Sequence, residues 1–247
     1  MEVYSMDIQC GDALVHCKVA GREGATAILF LHGNGEDLSI FEAQIEYFSP
    51  QYRTVTIDTR GHGQSTRGTA PLHFYTFAND LIAVLDALSI DKAHLVGFSD
   101  GAIIALHTAL MAPERILSMV LLGVNYNTKG LRFIPRIEIA LVYAWLSVAS
   151  LFSKVKRKRK EIWGLMVLHP NLTIEELSKI SIPALVVTGE KDMVRQHHND
   201  ELCRVITGAQ RLIIPNGDHF WMFSNPHLFN QCVMEFLQVA AFACRLL

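Results

Sequence analysis

Short, unbroken apolar runs recur along this chain and set the class of fold it can adopt. Ala27-Ile28-Leu29-Phe30-Leu31 lies between Gly24 and Gly33. A run this short, without polar alternation, fits a strand buried on both faces. Residues 54–57, 93–96, 117–122, 184–188 and 211–214 also read as strands. Between them lie segments with helical spacing at 38–48, 74–88, 100–111 and 197–206, and a last helix at 227–242. Strands that alternate with helices predict an α/β fold: a mostly parallel central sheet with helices on both faces. Residues 2–9 and 13–20 read as a hairpin around Cys10-Gly11-Asp12, adding antiparallel strands at one edge.

The alternation breaks once. Residues 125–178 are helical in pattern with no convincing strand, so they predict a helical excursion, or cap, above the sheet. Residues 1–124 and 179–247 then form one core domain around this insertion. With 50% apolar residues, the chain can bury enough surface to fold. A balance of 22 Lys+Arg against 24 Asp+Glu argues against nucleic acid as a partner. Five scattered Cys with no C-x-x-C pair disfavour a disulfide framework or a zinc cage. The first eleven residues contain Glu2 and Asp7 and lack a basic leader, so no secretory signal is expected. Residues 139–153 are apolar but shorter than the roughly 18–20 residues a span requires. A cytoplasmic location is the expectation from these features.

The strongest chemical signal is Gly97-Phe98-Ser99-Asp100-Gly101, where a buried strand meets a helix. Ser at the tip of such a turn is held in a strained conformation with its hydroxyl above the sheet, and larger side chains at 97 and 101 would collide. The helix that follows brings free N–H groups to the same place. A serine nucleophile needs a base. His219, in Pro215-Asn216-Gly217-Asp218-His219, lies in a loop after the last strand, on the side of the sheet that carries the Ser99 turn. His62 lies in a similar loop and is the rival; His197 and His198 are expected to be exposed, and His16, His94 and His107 to be structural. The base needs an orienting carboxylate. Asp192 follows strand 184–188, with Glu190 as chief rival; Asp218 adjoins His219 too closely to fold back on its ring. His32-Gly33-Asn34-Gly35 follows the strand at 27–31, and the backbone N–H groups of Asn34 and Asp100 are the candidate oxyanion donors.

The chain at this point resembles the α/β-hydrolase fold superfamily over nearly its whole length. His32-Gly33, Asp58-Thr59-Arg60-Gly61-His62-Gly63-Gln64-Ser65, the turn at 97–101, Gly189-Glu190-Lys191-Asp192 and Gly217-Asp218-His219 occur in the order that superfamily shows. The resemblance implies a Ser99–Asp192–His219 triad under a helical cap. Ser at 99 departs from the haloalkane dehalogenase branch, which has Asp. No metal or organic cofactor is implied.

Two features bear on the substrate. Asp100 either complements the helix N-terminus or presents its carboxylate to a substrate ammonium, as a Gly-aromatic-Ser-Asp-Gly turn in hydrolases of amino-acid esters or small amides would. The cap segment carries Ile137, Ile139, Leu141, Val142, Trp145, Leu146, Val148, Leu151 and Phe152, apolar nearly all round. Such a helix is expected to be buried or to line a pocket, with Trp145 as a candidate substrate contact. An acyl-binding wall and an interfacial membrane face are the other readings. The basic run at 154–160 reads as solvated surface, with contact to anionic lipid as the alternative, and membrane contact is not the expectation. The sequence thus predicts a serine hydrolase acting on a small-molecule ester, or an amide. A C–C bond hydrolase or peptidase with the same triad, and a slow-turnover binding protein on the same fold, are the alternatives.

Overall fold

The computed structural model describes residues 3–244, the last four as backbone only. The first residue of the predicted hairpin and the last three of the predicted core domain lie outside the described residues.

Two antiparallel strands open the chain, β1 (Val3–Cys10) and β2 (Ala13–Ala20), followed by β3 (Ala27–Leu31). Helix α1 (Glu42–Phe48) leads to β4 (Arg53–Ile57), and α2 (Phe74–Ala87) to β5 (Ala93–Phe98). Helix α3 (Asp100–Met111) connects to β6 (Ile116–Leu122). The strands then stop for α4 (Phe133–Ala149), α5 (Lys154–Leu168) and the short α6 (Ile174–Leu177). They resume with β7 (Ala184–Gly189), α7 (Gln196–Val205) and β8 (Gln210–Ile214), and the described chain closes with α8 (Trp221–Ser224) and α9 (Pro226–Cys244).

The eight strands form one sheet in the order β1-β2-β4-β3-β5-β6-β7-β8. The β1–β2 and β2–β4 pairs are antiparallel and the other pairs parallel. Within β3, Leu29 and Leu31 face one core with α2, α3 and α7, while Ile28 and Phe30 face a second core with α1 and α9. Both faces are covered, which is why the strand reads as an unbroken apolar run. The chain leaves β3 toward β4 on one side and returns to β5 on the other. The carboxyl ends of β3 and β5 therefore flank the point where strand order reverses, the usual place for a ligand crevice in such sheets.

The Asp58–Ser65 stretch follows β4 at the same edge of the sheet and acts as a bracket. Asp58 accepts hydrogen bonds from Leu38 N and Gln64 N, both at 2.7 Å. Arg60, 2% exposed, makes a two-pronged pair with Asp80 of α2, 2.7 Å on each arm, and reaches Asp12 of the opening hairpin at 2.6 Å. It ties three separate chain segments together.

The expectation that α4 is buried or lines a pocket holds for one face only. Helix α4 is apolar nearly all round, broken by Arg136 and Glu138, yet only Leu146 is buried. Leu141 is 65% exposed, Trp145 56% and Phe152, just beyond the helix, 86%. One face of α4 packs on α5 and the body while the opposite face is bare. The all-round apolar pattern signalled apolar demand on both faces, and the fold covers only one.

Arg60→Met leaves the Asp80 carboxylate buried without its partner. We expect a stability loss of about 3–5 kcal/mol by urea unfolding, with much of it recovered in Arg60→Met/Asp80→Leu. A single variant as stable as the parent contradicts the bracket.

Candidate active site

Ser99 occupies the single residue between β5 and α3, at φ 52° and ψ −115°. Its backbone N donates to Leu122 O at 2.8 Å and its O accepts from Ala102 N at 3.0 Å, so the neighbouring strand and the first helical turn hold the conformation in place. The close approach demands glycine. A Cβ at Gly97 would overlap the backbone of Gly101, and one at Gly101 would overlap Leu31 O.

The β7 and β8 loops bring two further groups to Ser99. His219 Nε2 lies 3.2 Å from Ser99 Oγ, and His219 Nδ1 lies 2.8 Å from Asp192 Oδ1. Asp192 is 1% exposed, and its Oδ1 also accepts from Val194 N at 2.9 Å. The carboxylate is thus anchored independently of the imidazole it meets.

The rivals have other partners. Glu190 accepts from Asn216 N at 2.8 Å and Asp218 from Phe220 N at 2.9 Å, each bracing a loop. His62 is buried, with Nδ1 3.0 Å from Thr59 Oγ1 and its ring against His32 and Phe77; burial pushes it down to about 3. His198 is not exposed: it is buried and stacks on Tyr126 with centroids 3.7 Å apart. An amphipathic helix start gave no warning of that aromatic partner.

Asn34 follows β3, and its Nδ2 donates to Asp100 Oδ2 and to Ile162 O of α5, both at 2.9 Å. These bonds draw the β3 loop, the start of α3 and α5 together. Asp100, 7% exposed, borders the cavity above Ser99; burial raises its carboxyl to about 6, against the pull of the Asn34 bond and of His219. The cavity is small, about 30 Å³, walled by Ile103 of α3 and by Ile139, Met166 and Pro170 of the helical excursion. Trp145 does not reach it. The indole lies on the outer face of α4 with Lys156 Nζ 4.4 Å from its ring centroid, so the expected substrate contact is corrected.

Three residues at this site escaped the sequence reading. Gly123, at φ +59°, underlies the imidazole: a Cβ there would come within 2.7 Å of His219 Cε1. A lone Gly after a strand carries no signal of that contact. Asn125 borders the cavity with its Oδ1 buried and without a hydrogen-bond partner. Glu36 accepts from Gly33 N at 2.9 Å, and burial, the largest cause, raises its carboxyl to about 7. A Glu three residues beyond His32-Gly33 could have been noticed.

The raised Glu36 sets a pH dependence. Folded Glu36 keeps its proton where the unfolded chain has lost it, so its contribution to stability falls as pH rises from about 4 through about 7. Glu36→Gln keeps the acceptor and removes the charge. We expect it to gain on the order of 1 kcal/mol relative to the parent at pH 8 and almost nothing at pH 5. An equal effect at both values contradicts a buried, raised carboxyl.

The comparisons agree with this architecture. The chain is 28% identical over 261 aligned positions to serine hydrolase BPHL of Homo sapiens, covering 96% of this chain and 87% of that protein. It is 26% identical to 3-oxoadipate enol-lactonase 1 of Acinetobacter baylyi, covering 90% and 92%. Among solved structures, the carboxylesterase CesB of Bacillus subtilis superposes with a TM-score of 0.78 at 22% identity, covering 96% of this chain and 92% of that one. The profile of the alpha/beta hydrolase fold family matches residues 26–162, and the chain belongs to that family.

Proposed function

We propose that this protein is a serine hydrolase that cleaves a small carboxylic ester through an acyl-enzyme on Ser99. The observation that carries the reading is the unbroken chain from Asp192 Oδ1 through both His219 nitrogens to Ser99 Oγ, at 2.8 and 3.2 Å, with Ser99 held at positive φ between β5 and α3. Kinship with a serine hydrolase and an enol-lactonase supports ester-type chemistry.

In this reading Ser99 Oγ attacks the ester carbonyl carbon while His219 Nε2 accepts the hydroxyl proton. Asp192 holds the Nδ1–H tautomer and stabilises the imidazolium. The carbonyl oxygen becomes an oxyanion, met by the N–H groups of Asn34 and Asp100; the first N–H groups of α3 have no carbonyl to bond within the helix. Collapse expels the alcohol, which takes the proton from His219. Water then attacks the acyl carbon and gives a proton to His219, and the carboxylic acid leaves as Ser99 regains its hydrogen. Residues 125–178 act as the cap, and the small cavity beneath Ile139 and Met166 favours a short acyl group. Asn125 Oδ1 offers that group a buried acceptor.

Asp192→Asn should lower kcat for a p-nitrophenyl ester by up to ~10⁴-fold, because the wrong imidazole tautomer then faces Ser99. Glu190→Gln should cost no more than a few-fold, since the Glu190 carboxylate braces the β8 loop at Asn216 N and not the imidazole. A large loss in Glu190→Gln with little in Asp192→Asn overturns the assignment.

A further inference from the structure

The bare face of α4 and the start of α5 form one continuous surface. Ile134, Ile137, Leu141, Trp145 and Val148 step three or four positions at a time, so they share one side of α4, and all are exposed. Leu151 and Phe152 extend the stripe into the turn before α5. Beside it lie Lys154, Lys156, Arg157, Lys158, Arg159 and Lys160, none in an ion pair among the described residues. Lys158 is close enough to the body for its charge to bear on His62, whereas Lys156 sits over Trp145 and joins the basic cluster to the apolar stripe. Six basic residues thus fall within residues 154–160 of a chain whose net charge is −2.

We propose that this face docks on an anionic lipid surface, with the apolar stripe entering the headgroup boundary and the cations meeting lipid phosphates. An exposed apolar helix face flanked by unpaired Lys and Arg has the chemistry for that interface. A second copy of the chain is the weaker occupant. A symmetric pairing would bring two cation clusters together, and α4 and α5 hold only Glu138 and Glu161 to offset them, with Glu161 already paired to Arg67. No helix among the described residues is long and apolar enough to cross a membrane, so the contact lies along the surface. The docking face is the reverse of the face that closes over Ser99 and does not depend on the catalytic reading.

Vesicle flotation tests the proposal with the full chain. Vesicles of phosphatidylcholine alone are compared with vesicles in which a third of the lipid is phosphatidylglycerol. At ~0.1 M salt we expect about tenfold or more tighter binding to the anionic vesicles, weakening sharply at ~1 M salt, where the screening length falls to about 3 Å. Leu141→Glu/Phe152→Glu and, separately, Lys154→Gln/Lys156→Gln/Arg159→Gln should each weaken binding about tenfold without changing the thermal unfolding profile. Equal affinity for the two vesicle types, no binding to either, or binding that both variants leave intact overturns it. So does a dimer in sedimentation that Leu141→Glu/Phe152→Glu dissolves.

Discussion

Ser99 stands where strand β5 must become helix α3 within one residue, and the rest of the site is arranged around that constraint. The positive φ costs on the order of 1–3 kcal/mol for a residue with a side chain. It persists because Leu122 and Ala102 fix its backbone groups and because Gly97 and Gly101 leave no bulk to relieve. Fixing Ser99 fixes the hydroxyl, and the loops after β7 and β8 then need only place Asp192 and His219 along one line. Parallel strands deliver all of these loops to the same edge of the sheet, so the separation of the three residues in the chain does not matter.

Packing beneath the site supports the same geometry. The Asp58 loop and the Arg60–Asp80–Asp12 cluster bind the opening hairpin, β4 and α2 into one block. Gly123 lets the imidazole approach the turn after β6 closely, and Asn34 ties the β3 loop to both α3 and α5. The excursion therefore rests on the site through a backbone carbonyl and through Ile139 and Met166, while its outer face is exposed.

The strands, the two-sided helices and the turn at Ser99 were legible because each leaves a local mark: an unbroken apolar run, a helical period, a pair of glycines two positions from a serine. The meeting of Asp192 with His219 follows from topology once the sheet is taken as parallel. What was not legible depends on contacts between distant segments. Gly123 matters because His219 crosses above it, and His198 is buried with Tyr126 stacked on its ring and Gly130 against its edge. Trp145 and its neighbours misled because apolar residues all round a helix state how much surface is apolar, not which of it the rest of the chain covers.

The central claim is that Ser99 carries the acyl group. A p-nitrophenyl ester with a slowly hydrolysed acyl chain, acid-quenched within the first turnover and followed by peptide mass mapping, tests it most directly. The account predicts one acyl adduct, on the peptide containing Ser99, that forms with the burst of p-nitrophenol and decays at the steady-state rate. Steady hydrolysis with no adduct, or an adduct confined to a lysine or to one of the cysteines, would contradict it.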